Sequence, residues 1–276
     1  MVRAADYPCA GRRARDLQAD ADSLARRLDG GDIVVIDDYG LSRDYVRHLR
    51  RAVDCRVLAI DDLNRWDTGL AEWVLAFSMV ACDKRYRHTR AFRGPEYAPL
   101  RRAFGAARTS VPREEGVCLI ALGGLATPRL LDWAVAGVSP LYPHVRITRS
   151  ASSGGRIPPA DPSCRVELLP PLPDLAEEIA RCSVCVCTGG FTKYECIGVQ
   201  TPAVVIDQTD LEHRDTLRLQ RSGMLAGVVP AMDSRKLRSV LRSLESEPRR
   251  VTLADHLREA AFGSRTADMA AEILGD

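Results

Sequence analysis

Five short stretches of this chain are almost uninterruptedly apolar and then stop at a glycine or an acid. They are DIVVID (32–37), CRVLAIDD (55–62), GVCLIALGG (116–124), SVCVCTG (183–189) and PAVVID (202–207). A strand with apolar residues on both faces must be covered on both faces, which is the environment of a parallel sheet between helices. Two further runs, AEWVLAF (71–77) and HVRIT (144–148), read as additional strands. Helical spacing falls between these runs. Leu17, Ala21, Leu24 and Leu28 share one face of a helix over 13–29, and DGG ends it. Further helices are expected over 43–52, 127–138, 173–181, 191–198, 212–221, 234–245 and 252–273. Strands alternating with helices through short connections make an α/β chain.

The rhythm restarts after AARTSVPREE (106–115), so two doubly wound, Rossmann-like units are expected, 1–110 and 111–276. The last helix is expected to pack back on the first unit. The segment 149–164, rich in Ser, Gly and Pro, reads as a long surface loop. In such sheets ligands collect beyond the carboxyl ends of the strands. That directs attention to the pairs Asp37/Asp38 and Asp61/Asp62, to Gly123 and Gly124, and to the turn TGGFTKYE (188–195).

Composition narrows the classes. A net charge of +2 is too small to imply a nucleic-acid partner. The charge is uneven, however: from Lys84 to Arg108 eight basic residues stand against Glu96 alone, interleaved with Tyr86, Phe92, Tyr97 and Phe104. This stretch reads either as a phosphate grip or as a solvated basic face. No run of about 18 apolar residues is present, so no membrane span is expected. The start lacks the apolar core of a signal peptide, and nine cysteines fit a cytoplasmic, reducing compartment.

The turn after SVCVCTG has a direct physical reading. Gly189 and Gly190 permit a tight bend and close approach of a ligand to the backbone. The helix that follows presents unpaired amides to an anion. Thr192 offers a hydroxyl to phosphate, and Glu195, on the same face, offers a carboxylate to two sugar hydroxyls. The surrounding Cys182, Cys185, Cys187 and Cys196 lack a second Cys or His pair at zinc-finger distance, so they read as buried thiols. No metal and no cofactor are expected. His48 and His256 have no metal-like partner at i+4.

Several motifs occur in a familiar order: VVIDDYGLSRDY (34–45), RVLAIDDLNR (56–65), Tyr86, RGPEYAPLRRAF (93–104), LIALGG (119–124), TGGFTKYECIGVQTPAVVI (188–206) and FGSRTADMAAEIL (262–274). On these the chain resembles the UDP-sugar hydrolases of pseudaminic acid biosynthesis, which release UDP from a diacetamido-trideoxy-altrose. That family shares the glycosyltransferase-B fold with the peptidoglycan N-acetylglucosaminyltransferase. The resemblance implies UDP-binding roles for Gly189, Gly190, Thr192 and Glu195, with Gly123 and Gly124 on the same side. It implies hydrolysis at the anomeric carbon of a UDP-amino sugar. The alternatives are glycosyl transfer from a UDP-sugar donor, or a partner-dependent sugar-nucleotide-binding protein with impaired catalysis.

The chain also departs from the family pattern. The N-terminal strand and Gly-x-Gly-His turn that supply the family's base have no counterpart here. An incomplete N-terminal sheet is therefore expected, its edge covered by a partner chain or a second copy. Leu125-Ala126 replaces the family's acidic residue after the middle Gly-Gly, and Leu211-Glu212 its Asn-Gln pair. The candidates for a base are His88, His213 and Asp38.

Overall fold

The computed structural model describes residues 17–38, 43–61, 69–81, 86, 89–124, 126–148, 156–208, 210–260 and 262–275. They divide into two compact units. One comprises the described residues of Met1–Asp61, Arg65–Leu75 and Arg85–Ala91, the other those of Asp62–Asn64, Ala76–Lys84 and Phe92–Asp276.

The first part of the chain runs α1 (Leu17–Ala25), β1 (Ile33–Ile36), α2 (Arg43–Ala52), β2 (Arg56–Ile60), β3 (Trp73–Ala76) and β4 (Arg90–Arg93). These strands form one sheet in the order β1-β2-β3-β4, with β1, β2 and β3 pairing in parallel. Helix α2 buries Tyr45, Val46 and Leu49, and Tyr45 donates its hydroxyl to Asp20 of α1 at 2.8 Å. His48 is one-third exposed and paired with Asp22 at 2.6 Å.

The chain continues through α3 (Arg102–Ser110), β5 (Glu114–Ala121), α4 (Pro128–Val138), β6 (His144–Ile147), β7 (Arg165–Leu168), α5 (Ala176–Arg181), β8 (Cys182–Thr188) and α6 (Thr192–Gly198). It ends with β9 (Ala203–Asp207), α7 (Asp210–Arg221), β10 (Gly227–Pro230), α8 (Ser234–Ser243), α9 (Glu247–Glu259) and α10 (Thr266–Leu274). Six parallel strands lie in the order β10-β9-β8-β5-β6-β7. This is the doubly wound dinucleotide-fold order: the chain builds outward on one side from β5, then returns to β5 and builds outward on the other. The central strands are the most apolar, as two-sided burial demands: Val117 to Ala121 of β5 and Cys182 to Cys187 of β8 are all buried.

Local chemistry sets the helix ends. Thr127 caps α4 by accepting from Leu130 N at 3.2 Å, with Pro128 in the first turn. Asp233 caps α8 by accepting from Lys236 N at 2.9 Å. Helices α4 and α8 approach so closely at Gly137 that a Cβ there would lie 2.6 Å from Leu237 Cδ2. The Trp133 indole donates to Ser234 across the same seam at 2.7 Å.

Four expectations change. Strand β4 and helix α3 arise inside the basic 84–108 stretch, where Phe92 and Phe104 are each only 1% exposed. That part of the stretch is core-forming structure with its arginines on the outside. Strands β7 and β10 are sheet edges four residues long; β7, RVEL, is too polar to read as an apolar run, and β10, GVVP, is too short, with only two valines between a glycine and a proline. The helix expected over 173–181 begins only at Ala176, because Pro170, Pro171 and Pro173 hold the preceding segment extended. The C-terminal helix is two helices, broken where Gly263 takes φ 70°. At that break the amides of Gly263 and Arg265 donate to Pro95 O and Glu96 O, at 2.9 and 2.8 Å.

Candidate nucleotide site at the strand switch

Strands β5 and β8 are neighbours in the sheet, and the chain leaves them toward opposite edges. The crevice that a doubly wound sheet keeps for ligands opens at their carboxyl ends. Both strands end in glycine pairs, Gly123-Gly124 and Gly189-Gly190. Thr188 ties the two ends together by donating its hydroxyl to Leu122 O at 3.1 Å. Gly123 takes φ 69°, which favours glycine.

A cavity of about 310 Å³ opens here, lined by Ala121, Gly123, Gly124, Thr148, Leu172 and Thr192 among others. It lies within the size range of small-molecule pockets. Its walls come from the ends of β5 and β6, the proline segment after β7, and the start of α6. Gly124 and Gly190 have no heavy atom within 4 Å of where a Cβ would stand, so both present open backbone. Gly189 is crowded, since a Cβ there would meet Glu212 Oε2 at 2.6 Å and Glu212 Cβ at 2.9 Å.

Glu195 follows one turn along α6 and is 9% exposed. Burial pushes its carboxyl up; Arg101 and a hydrogen bond from Thr192 act against that. Arg101 reaches Glu195 Oε1 at 3.7 Å and donates to Pro173 O at 3.0 Å. Arg101 is thus a residue of the basic stretch that reaches the turn.

The candidates for a base separate. His88 lies outside the described residues. Asp38 follows β1 in the first unit, where its charge adds to burial in raising the Asp37 carboxyl. His213 stands on α7 beyond the end of β9, its Nδ1 2.6 Å from Asp207 Oδ2. The His213 side chain is about half exposed, and Asp207 Oδ1 is buried without a hydrogen-bond partner. Nδ1 is thus the ring nitrogen engaged with the carboxylate. The sequence placed His213 near the cleft, but six residues of separation across a strand–helix junction gave no sign of Asp207 as its partner.

Structure also gathers three of the cysteines. The Sγ atoms of Cys185, Cys187 and Cys196 all lie within 4.8 Å of one another, behind the turn and fully buried. Cys187 receives S–H contacts from Cys185 and Cys196, which hold its thiol low and theirs high. Nearby, burial pushes the Cys182 thiol up to about 12. No fourth Cys, His, Asp or Glu ligand atom joins the three within that distance among the described residues. Structural zinc takes four ligands, so the geometry favours packed thiols. Brief iodoacetamide treatment of the native chain is expected to label half-exposed Cys164 and spare Cys182, Cys185, Cys187 and Cys196 until denaturant is added. Peptide mass mapping reads this, and early modification of Cys187 would contradict the packing described.

Comparison with known proteins places this site in a wider setting. No family model matches the chain. The spore coat polysaccharide biosynthesis protein SpsG of Bacillus subtilis is 22% identical over 194 residues, which cover 65% of this chain and 56% of that protein. The chain thus spans little more than half of the curated relative it matches. Among solved structures, the glycotransferase of kitacinnamycin is 18% identical with a TM-score of 0.61, over 97% of this chain and 85% of that one. Anabaena HepE, solved in complex with UDP and glucose, is 13% identical with a TM-score of 0.55, over 94% and 81%. None of the three is described as a pseudaminic acid hydrolase. Among the described residues no helix is long and apolar enough to cross a membrane. What these likenesses and the two parallel sheets establish together is the fold: the chain has the α/β, glycosyltransferase-B architecture of two Rossmann-like units.

Proposed function

We propose that this chain binds a UDP-sugar and transfers its glycosyl unit to an acceptor hydroxyl. One observation carries the reading. At the switch point of the second sheet, Gly123-Gly124 and the turn bearing Gly190 and Thr192 converge on a single cavity, with a buried carboxylate, Glu195, one turn behind. Open glycine backbone and a hydroxyl suit a diphosphate, and a carboxylate suits the paired hydroxyls of a ribose. The proteins it resembles, a polysaccharide biosynthesis protein and a glycotransferase, support the same substrate class.

In the reaction the acceptor oxygen attacks the anomeric carbon and the bond from that carbon to the β-phosphate oxygen breaks. UDP leaves with the bonding pair, its charge met by the glycine backbone and the Thr192 hydroxyl. The acceptor proton passes to His213 Nε2, and Asp207 holds the imidazole and offsets its charge. Nothing in this scheme requires a metal or an organic cofactor.

Water in place of the acceptor gives hydrolysis, the reading that the pseudaminic motifs favour. Calorimetry with UDP, followed by product analysis of a UDP-hexose and UDP-N-acetylhexosamine panel with and without acceptor alcohols, separates the outcomes. Glycoside formed only with acceptor supports transfer, and free sugar formed at the same rate either way supports hydrolysis. Absence of UDP binding at millimolar concentration overturns both. His213→Ala is expected to slow turnover by about 10²- to 10⁴-fold while UDP affinity stays within about twofold. An unchanged rate removes His213 from the mechanism.

A further inference from the structure

Lys193 stands in the first turn of α6, where a cation opposes the helix dipole, and it is only 3% exposed. A buried lysine in that place requires partners, and the structure supplies them. Its ammonium donates to Gly189 O and pairs with Asp215 Oδ2 at 3.3 Å. It also lies 4.6 Å over the Tyr194 ring. Asp215, fully buried on α7, takes the Tyr194 hydroxyl on Oδ2 and the Met79 amide on Oδ1, the latter at 2.8 Å. Arg218, one turn on, donates to Met79 O at 2.9 Å. The network thus joins the glycine turn, α6, α7 and the segment after β3, all within the second unit.

Resting on the UDP reading above, we infer that Lys193 and Asp215 are positioning residues that fix the phosphate-binding backbone of the turn through the Gly189 carbonyl. Asp215 neutralises Lys193, so the ammonium is not a free phosphate ligand. Its consequence is geometric: with Gly189 O held by the ammonium, the peptide plane is set, and with it the Gly190 N–H, which in a trans peptide points the opposite way from that carbonyl. Crowding of Gly189 against Glu212 confines the other side of the same residue.

The test separates positioning from bulk stability. Lys193→Met leaves a buried carboxylate short of a donor, so the full chain is expected to lose thermal stability as well as UDP affinity. The double variant K193M/D215N removes both charges and is expected to regain most of the melting temperature. Its UDP affinity should remain about 10- to 100-fold below the parent, since the donor to Gly189 O is still missing. Uridine, which does not reach the turn with a diphosphate, should bind the double variant as it binds the parent. Recovery of UDP affinity together with stability would reduce the pair to a structural role and overturn the inference. Equal losses for UDP and uridine would overturn it too. A parent chain that binds no UDP would instead defeat the functional reading on which it rests.

Discussion

Gly189→Val is expected to remove UDP binding almost completely, weakening it by more than about 100-fold. The added side chain begins with a Cβ 2.6 Å from Glu212 Oε2 and 2.9 Å from Glu212 Cβ. The carboxylate can swing away, but the Cβ moves only with the α7 backbone. The turn must therefore shift, and the shift falls between the Lys193 ammonium below Gly189 and the open backbone of Gly190. Calorimetric titration with UDP reads the effect. At Gly190, where a Cβ meets nothing within 4 Å, alanine is the matched control for the fold. A Gly189→Val chain that still binds UDP with parental affinity would show that the ligand does not use this turn.

Glu195→Ala is expected to lower UDP affinity by about 30- to 100-fold, the range for losing charge-assisted hydrogen bonds in a sheltered site. The pH dependence makes this prediction sharper. Burial raises the Glu195 carboxyl above the ordinary glutamate range, so it takes up a proton at higher pH than an exposed glutamate would. The ionised form, which the proposed ribose contact requires, is present above that raised value and is lost as pH falls through it. UDP affinity should accordingly begin to fall at a pH where exposed carboxylates remain charged. Glu195→Gln should flatten that dependence. A parental profile retained in the glutamine variant would assign the titration to another group. The same shift has the opposite sign for folding: an ionised Glu195 is disfavoured by burial, so its contribution to stability diminishes as pH rises through the raised value.

The doubly wound character was legible because it rests on strands buried on both faces. Residues such as Val184 to Cys187 and Val204 to Ile206 are apolar wherever the sheet is covered, and no tertiary information is needed to read them. Edges were less legible. Strand β7 is RVEL and β4 is RAFR, and with one half-wet face each they carry too little pattern in four residues. The site was legible in part for a related reason. Glycines and a hydroxyl at the end of a buried strand have few uses other than a turn, so Gly189, Gly190 and Thr192 announce themselves.

Partners joined by the fold announce nothing. Asp215 is an ordinary acid in the helical run DLEHRDTLRLQR, and only tertiary packing sets it beneath Lys193 and Tyr194. The same holds for Arg101 and Glu195, and for the meeting of Cys196 with Cys185 and Cys187. Spacing along a chain reports helix faces and strand ends; it carries no information about which helix lies over which strand.

The bond from Thr188 to Leu122 joins residues 66 positions apart. Everything between them, β6, β7 and α5 included, must be threaded outward and back before β8 can lie beside β5. Closing so long a segment carries an entropic cost that the pairing recovers only once it is complete. The two glycine turns therefore meet late in the acquisition of structure. A half-assembled sheet holds each turn separately and has no crevice, so the cavity itself serves as a report that the central strands have joined.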